Sequence, residues 1–229
     1  MRSYVRFVRG FLGVCFFLVA SGARADVPVA NGDRVKSVQK KPFAQAGRLS
    51  LEPAASVSVS DPYWQHVGGG ARLGWHVAEA LTLEASALAF AALPTEDLRI
   101  AKRELHSQIV AARTAGLATA DAVWAPAYGK VALGSRILHF ELYALAGAGA
   151  AFTGAASGGP LTARPALDLG GGERLFFSDS LALRVGVAAH FYPTTVDVGG
   201  APLSRVVTLV EASAALAIYF PAAGRAEAP

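Results

Sequence analysis

The chain has 229 residues, of which 53% are hydrophobic and 17% are charged, and it contains one cysteine. This apolar content excludes an intrinsically disordered chain, and the length allows one domain with a sizeable core. The formal net charge of +4 is unevenly distributed, because Arg2, Arg6, Arg9 and Arg24 precede residue 26 and no acidic residue does.

The first 25 residues have the three parts of a secretory signal peptide. Basic residues at the start are followed by an apolar run over residues 11–20 and by Ala23-Arg24-Ala25, which is typical of a cleavage site. We therefore expect export through the Sec pathway and a mature chain of 204 residues that begins at Asp26. Cleavage removes Cys15 and four of the 21 basic residues, which leaves 17 basic against 17 acidic residues. A neutral mature chain without cysteine gives no reason to expect a nucleic-acid partner or thiolate chemistry.

No stretch after residue 25 approaches the ~20 apolar residues that a membrane-spanning helix needs. Apolar and polar residues instead alternate over short segments separated by turns, which is the pattern of a transmembrane barrel. We predict an all-β fold, an eight-stranded antiparallel up-and-down transmembrane β-barrel over residues 48–220. A periplasmic lead-in at 26–47 precedes it and a flexible periplasmic tail at 221–229 follows it. The predicted strands cover 48–59, 65–77, 81–91, 120–133, 137–152, 164–177, 181–192 and 205–220.

The predicted connections alternate between short turns and longer loops, as in outer-membrane barrels with periplasmic turns and outside loops. Turns are predicted near 78–80, 134–136 and 178–180, and long loops at 93–118, 153–162 and 193–204, with a shorter one at 60–64. The second outside loop carries a helical pattern that Thr95 can cap, with Glu96 and Asp97 in the first turn. Its apolar stripe is formed by Leu98, Ala101, Leu105, Ile109 and Ala112. We expect this helix to fold over the barrel mouth or to contact lipopolysaccharide headgroups.

Successive side chains of a strand point to opposite faces, and this alternation places several ionisable residues on the inner face of the predicted barrel. Charges inside a small barrel must pair or meet water, so an internal salt-bridge network is expected. Its members are Arg72, Glu84, Glu141, Asp168, Arg174, Arg184 and Glu211, with Lys130 if that residue faces inward. A polar plug that fixes the register of the strands is favoured over an ion path.

Two segments have an ambiguous orientation. In 120–133, Pro126 interrupts the pattern, and Trp124, Tyr128 and Lys130 share one side by parity. In 164–177, Glu173 faces lipid unless the run Gly170-Gly171-Gly172 contains a bulge. Pro53 in the first strand is likewise expected at a bulge.

Aromatic residues on the outer face are predicted to form two girdles at the membrane boundaries. The turn-end girdle contains Trp75, Phe140, Phe177 and Phe220, and the loop-end girdle contains Phe152 and Phe191. A soluble barrel with a polar exterior has no reason to place its aromatic residues in this way.

Several segments resemble the myxobacterial-type outer-membrane β-barrel domain proteins, which are small OmpA-like barrels. The similar segments are VQKKPF at 38–43, SDPY at 60–63, PAYGK at 126–130, ILHFELY at 137–143 and LALR at 181–184. The resemblance spans residues 38 to 220 and implies an outer-membrane location. Some members of that family are linked to envelope machinery for gliding motility, and the family supplies no catalytic residue.

Four histidines face inward by parity, but their heights in the strands separate His66 and His190 from His76 and His139, so we expect no metal site. The pair His106-Ser107 could suggest a lipid hydrolase, but a catalytic triad needs a third residue and an oxyanion hole. The sequence has a signature for neither. The glycine runs at 68–70 and 170–172 follow no strand-to-helix pattern and are better explained by close packing than by phosphate binding.

The predicted function is a non-enzymatic outer-membrane barrel with a structural, envelope-anchoring or interaction role in a cell-envelope or motility complex. Its expected partners are outer-membrane lipid, lipopolysaccharide and envelope proteins, and no cofactor is expected. Lys36, Lys40 and Lys41 precede the barrel and are candidates for contact with a periplasmic partner or anionic lipid. Two alternatives stay open, a narrow gated channel that uses the internal charges and a lipid-modifying enzyme.

Overall fold

The computed structural model describes residues 44–61, 63–104, 113–133, 136–154, 160–198 and 201–220. Within these ranges the chain forms eight strands and one helix. They are β1 (Leu49–Ser58), β2 (Trp64–Ala78), β3 (Leu81–Pro94), α1 (Glu96–Glu104), β4 (Arg113–Leu133), β5 (Arg136–Gly154), β6 (Thr162–Ser178), β7 (Leu181–Val198) and β8 (Ala201–Phe220). Each strand pairs antiparallel with the next, and β8 pairs with β1, so the sheet closes into a barrel. The predicted all-β class, strand count, antiparallel order and loop helix are confirmed.

The two ends of the barrel differ in their connections. At one end, called here the turn end, β2 joins β3 through Glu79 and Ala80, and β6 joins β7 through Asp179 and Ser180. The opposite end, called here the loop end, carries the connections that follow β1, β3, β5 and β7. Because the number of strands is even, β1 begins at the turn end and β8 ends there.

Strand alternation separates buried from exposed side chains all round the barrel. In β3, Thr82, Glu84 and Leu88 are buried, whereas Leu81 and Leu83 are exposed. Successive side chains of a strand point to opposite faces, so one face lines the lumen and the other forms the exterior. The interior is therefore the charged face, and the exterior is the apolar one.

The predicted loop at 193–204 is wrong, because both flanking strands continue through it. Pairing between β7 and β8 extends to Val198 and Ala201. β-branched residues support this extension, and Pro193 does not end β7. The predicted loop begins at Pro193, but a proline is tolerated in a strand where its missing N–H would face away from the neighbouring strand.

The predicted loop at 93–118 is too long, since β4 begins at Arg113 and pairs there with Gly154. Two irregularities in β4 explain why its orientation was unclear. The register with β5 shifts between Thr114 and Gly116 and again between Trp124 and Ala127.

The second shift reverses the parity of the remaining part of β4. Trp124 is exposed on the outer face, whereas Tyr128 pairs with the inward residue Glu141, and Lys130 pairs with His139. The three residues Trp124, Tyr128 and Lys130 therefore do not share a side, as parity alone had predicted. An extra residue in one strand moves every later side chain to the other face.

The bulge expected at Pro53 is absent, and so is the bulge in Gly170-Gly171-Gly172 that would have turned Glu173 inward. The register of β1 with β2 is continuous through Pro53, and pairing with β8 resumes at Ala54 in the same register. The register of β6 with β5 is continuous from Thr162 to Phe176. Glu173 consequently stays on the outer face, opposite Leu142 and Val185.

Two apolar clusters lie inside the barrel, one towards each end. The loop-end cluster contains Leu117, Ala151, Ala166, Tyr192 and Leu209, with Phe90 and Val207 packed against it. The turn-end cluster contains Phe176, Ala182, Ala217 and Tyr219. The charged part of the lumen lies between these two clusters.

Helix α1 packs over the loop end. The Oγ1 of Thr95 accepts a hydrogen bond from the Leu98 N–H at 3.3 Å, which caps the helix. Leu98 is buried against Trp64, and Tyr63 and Ala92 complete this contact. The described residues include no helix with the length and apolarity to cross a membrane. Of the predicted stripe, Leu105, Ile109 and Ala112 lie outside the described residues.

Candidate functional site

The lumen holds a continuous series of ionisable side chains in which acidic and basic groups alternate. We call it the luminal chain; every strand except β4 contributes to it, and every member is at most 8% exposed. In order of contact its members are Glu141, Arg174, Glu52, Arg184, Glu84, Arg72, Glu211, His190 and Asp168. All seven residues of the predicted network are inside this series.

Arg184 is the centre of the luminal chain. Its Nη1 lies 2.8 Å from Oε2 of Glu52 and also contacts Oε2 of Glu84. Glu52, Arg184 and Glu84 come from β1, β7 and β3, so the three side chains meet across the lumen. Charge-assisted contacts of this kind connect strands that share no backbone hydrogen bonds.

Arg174 and Arg72 extend the luminal chain in opposite directions. Arg174 contacts Glu52 at 3.8 Å and Glu141 at 3.7 Å. Arg72 contacts Glu84 at 3.7 Å and Glu211 at 3.3 Å. Each guanidinium therefore lies between two carboxylates, as charges this deeply buried require.

His190 connects the last two carboxylates. Its Nδ1 contacts Oδ1 of Asp168, and its Nε2 lies 3.3 Å from Oε2 of Glu211. The Nδ1 contact is a hydrogen bond, whereas Nε2 approaches Glu211 without hydrogen-bond geometry.

A tyrosine lying along the wall supports the two central arginines. The Tyr143 ring lies 4.4 Å from the guanidinium carbon of Arg184 and 5.3 Å from that of Arg174. The hydroxyl of Tyr143 extends over Gly172 and Gly186, where any Cβ would collide with it. Gly186 is required because the Tyr143 hydroxyl occupies the space above it, whereas a Cβ on Gly172 would collide first with the Val185 carbonyl and then with that hydroxyl. Cation–π contact then adds to the ion pairs of both arginines.

Two aspartates approach each other across a third glycine. Asp121 on β4 pairs with Gly147 on β5, and Gly147 pairs with Asp168 on β6. Oδ1 of Asp121 lies where a Cβ of Gly147 would be. Neither this oxygen nor Oδ2 of Asp168 has a hydrogen-bond partner among the described residues. Asp121 therefore brings β4 close to the end of the luminal chain.

Sequence reasoning missed two of the buried acids, Glu52 and Asp121. A signal for Glu52 existed, because Ser50, Ser56 and Ser58 mark the same face of β1 as polar. Asp121 lay in the segment whose orientation the bulges obscured. With both included, six carboxylates are nine-tenths buried, against three guanidiniums and His190, so the described luminal side chains carry an excess of acidic groups.

The turn end is closed by the residues just before β1. Gln45 is buried, and its Nε2 donates to Oε2 of Glu141 at 3.3 Å. The backbone N–H groups of Gln45 and Ala46 donate to the Glu79 carboxylate at 3.0–3.1 Å. Gly47 follows with a φ of 78°, a left-handed conformation that favours glycine. The turn places Gln45 under the lumen, and we call the contact with Glu79 the turn-end latch.

The inward histidines are distributed through the lumen and do not converge. His66 bonds to Ser58 at 3.2 Å and accepts from the Thr114 N–H, whereas His76 bonds to Ser50 and Thr82. His139 stacks on Tyr128 with ring centres 5.9 Å apart. No group of three or more His, Cys, Asp or Glu able to hold a metal ion occurs among the described residues.

The predicted aromatic residues face outward. Trp75, Phe177 and Phe220 are exposed near the turn end, and Trp124, opposite Leu81, joins them. The ring of Phe140 lies over Gly129, which leaves it half-buried. At the other end Phe152 and Phe191 are partly exposed. Phe191 lies at the last pair between β6 and β7, several residues before the true end of β7.

Some predicted features lie outside the described residues. These are the signal peptide at 1–25, most of the lead-in including Lys36, Lys40 and Lys41, the pair His106-Ser107, and the tail at 221–229.

Comparison with known proteins finds similarity of fold only. No protein-family model and no curated protein matches the chain. The N-terminal barrel domain of Pseudomonas aeruginosa OprF is 10% identical, covering 76% of this chain and 98% of that one, with a TM-score of 0.43. Neisserial surface protein A is 12% identical, with coverages of 76% and 98% and a TM-score of 0.46. The outer-membrane protein AlkL is 12% identical, with coverages of 86% and 100% and a TM-score of 0.41.

Proposed function

We propose that this chain is a non-enzymatic integral protein of a Gram-negative outer membrane, in which the barrel is a rigid anchor for a structural or interaction surface. The observation that carries the proposal is the inverted distribution of polarity. Leu73 and Leu167 on the outer face are 60% and 64% exposed, whereas Glu52 and Arg174 in the lumen are fully buried. Water would favour the opposite arrangement, and a lipid environment favours this one.

The outward aromatic residues support the same proposal. Trp75, Trp124, Phe177 and Phe220 lie near the turn end, where a belt of aromatic rings would meet the membrane boundary. β1 has 10 residues, which is close to the ~9–11 that a tilted spanning strand needs. Lipid and lipopolysaccharide are then the immediate partners of the outer face.

We further propose that the turn end faces the periplasm. The described chain enters and leaves the barrel at this end, so the lead-in with Lys36, Lys40 and Lys41 would reach an envelope partner from there. The resemblance to the myxobacterial-type barrels is consistent with such a partner. Participation in a cell-envelope or motility complex is part of this proposal.

The filled lumen favours an anchor over a channel. The luminal chain joins opposite walls, and apolar clusters lie on both sides of it. Eight strands leave an interior just wide enough for side chains. The enzymatic alternative depends on His106-Ser107, and nothing in the described residues favours it.

Lipid quenching of tryptophan fluorescence tests the membrane location directly. The chain has three tryptophans, Trp64, Trp75 and Trp124, so single-tryptophan variants are made by changing two of them to phenylalanine. In vesicles of brominated phosphatidylcholine, we expect strong quenching when only Trp75 or only Trp124 remains. The matched control keeps only Trp64, which is buried against Leu98 at the loop end and should not be quenched.

Quenching of Trp64 and Trp75 by aqueous acrylamide alone, with no effect of brominated lipid, would contradict the proposal. Cell fractionation and a heat-dependent shift in gel mobility test the location and the barrel independently. Recovery as a soluble periplasmic monomer would overturn both.

A further inference from the structure

The hairpin of β7 and β8 extends beyond the closed part of the barrel at the loop end. β1 has 10 residues and β8 has 20, and the last pair between them is Ser58 with Glu211. Pairing of β8 with β7 continues to Val198 and Ala201. The upper half of β8 is therefore paired on one side only.

The contacts near Ser60 show which backbone groups of β8 face the open side. Val59 N–H donates to the Val210 carbonyl at 2.9 Å, and the Ser60 hydroxyl donates to the Thr208 carbonyl at 3.2 Å. The backbone N–H and C=O groups of even-numbered β8 residues thus point towards β1, since these groups alternate in direction along a strand. The N–H groups of Ser204, Val206 and Thr208 then face the open side, and no backbone partner for them occurs among the described residues.

The prolines of this hairpin agree with the assignment. Pro202 is even-numbered in β8, so its missing N–H falls on the open side. Pro193 pairs with Val206, and its missing N–H faces away from β8 by the same alternation. Neither proline interrupts the ladder between the two strands. Pro202 blocks the tip of the open edge, which leaves Ser204 to Thr208 as the stretch that can accept a strand, with only the Thr208 carbonyl already bound, to the Ser60 hydroxyl.

A pocket of about 230 Å³ lies beside this stretch. Its lining includes Ser60, Asp61, Tyr63, Tyr192, Thr194 and Arg205. The Asp61 carboxylate already accepts from the N–H groups of Tyr63 and Trp64 at 2.8 and 3.1 Å. Arg205 is exposed and has no ion-pair partner among the described residues. The pocket therefore holds one charge of each sign, and Arg205 is the charge that can take an acidic partner.

We propose that the open edge of β8 from Ser204 to Thr208 binds an extended segment of a partner polypeptide by strand addition, with an acidic side chain of that segment in the pocket beside Arg205. Strand addition uses unpaired backbone groups for affinity and a side-chain pocket for specificity, and both are present here. A second copy of β8 is the less suitable occupant, because it would bring a second Arg205 to the same edge. The inference deepens the proposed interaction role, on which it rests.

The test uses a synthetic peptide and the full barrel in detergent micelles. The probe is a fluorescent, acetylated heptapeptide, Thr-Val-Thr-Glu-Thr-Val-Thr, and its counterpart carries lysine in place of glutamate. Fluorescence anisotropy should show saturable binding of the glutamate peptide and about tenfold weaker binding of the lysine peptide. The variant Arg205→Glu should reverse this order.

A matched pair of proline variants separates edge binding from a general effect on the hairpin. Val206→Pro removes an N–H from the open edge of β8, whereas Thr195→Pro removes one from the far edge of β7. We expect at least about tenfold loss of binding in the first variant and unchanged binding in the second. The Arg205→Glu reversal is independent of any effect of proline on folding.

Equal binding by the two proline variants, or no preference between the two peptides, would overturn the inference. Absence of binding in a barrel that still shows the gel-mobility shift and lipid quenching of Trp75 would also overturn it, while leaving the proposed membrane function intact. Loss of those two properties in the unmodified protein would instead contradict the proposed function.

Discussion

The guanidinium carbon of Arg184 lies 4.4 Å from the centre of the Tyr143 ring. This contact links the charged interior to the wall, since the hydroxyl end of Tyr143 lies over Gly172 and Gly186. The glycines make room for the ring, the ring supports the arginine, and the arginine joins Glu52 to Glu84. Small residues in the wall thus position charges in the lumen.

Adding a methyl group at Gly186 should disturb this arrangement. The new Cβ of Gly186→Ala would collide with the Tyr143 hydroxyl, and we expect a loss of about 1–3 kcal/mol in the free energy of unfolding. Tyr143→Phe removes the colliding oxygen, so the double variant should recover part of the loss. Urea unfolding in lipid vesicles, followed by tryptophan fluorescence, measures both changes.

Gly154→Ala is the control, because its Cβ would meet only the flexible end of Leu161. If Gly186→Ala lowered the free energy of unfolding by the same amount with and without the Tyr143 hydroxyl, the explanation would be contradicted.

Removing the central guanidinium should strongly destabilise the barrel. Arg184→Met leaves Glu52 and Glu84 without their nearest cation, and breaking a buried pair from one side costs about 3–5 kcal/mol. Neutralising an uncompensated acid with Glu52→Gln in the same chain should restore part of the stability. The same urea titration measures the effect.

An exposed ion pair supplies the comparison for this prediction. Arg99 pairs with Glu96 in α1, and both side chains are more than 60% exposed. Arg99→Met should change the free energy of unfolding by no more than about 1 kcal/mol. If Arg184→Met were equally mild, the luminal chain would not be a stabilising element.

The turn-end latch should control access of water to Gln45. Cys15 is the only cysteine of the full chain, and signal cleavage is expected to remove it, so Gln45→Cys would introduce a unique thiol. We expect this thiol to resist a polar maleimide in the folded barrel, because residue 45 is buried. Glu79→Ala removes the acceptor of the Gln45 and Ala46 N–H groups and should make the thiol reactive.

Ala44→Cys is the control for the labelling experiment. Residue 44 is exposed, so its thiol should react at the same rate with or without Glu79→Ala. A buried thiol at 45 that stays protected after loss of the Glu79 carboxylate would show that the latch is not what holds Gln45 in place.

The filled lumen predicts that the protein does not conduct ions. In planar bilayers, the unmodified barrel should give no step-like conductance above the level of protein-free membranes, because side chains fill the lumen between the two apolar clusters. The combined variant Glu52→Ala and Arg184→Ala removes the central pair and tests whether a path can be created. Regular conductance steps in the unmodified protein would favour the channel alternative instead.

Much of the luminal chain could be predicted from the sequence because it depends on a local rule. A period of two identifies the inner face of any regular strand, and it assigned Arg72, Glu84 and Arg184 to the interior without knowledge of their partners. The same rule failed in β4, where bulges shift the parity. Bulges depend on how two strands align with each other, and one strand does not encode that alignment.

The extent of the outer hairpin was also beyond local reasoning. Pro193 is normally a stop signal in a strand, and only its place in the pairing with β8 makes it harmless. The open edge of β8 arises from the difference in length between β1 and β8. That difference becomes visible only when the two strands, which lie at opposite ends of the chain, are paired.

The sequence by itself determined the class of fold, the separation of charged from apolar faces and the neutral balance of the expected mature chain. Only the tertiary structure decided which charges meet. Glu52 and Arg184 are 132 residues apart, and closure of the barrel brings them into contact at 2.8 Å. The alternation of inward and outward side chains acts over neighbouring residues and can be recognised from the sequence. The luminal chain, the turn-end latch and the open edge instead depend on strand register and barrel closure.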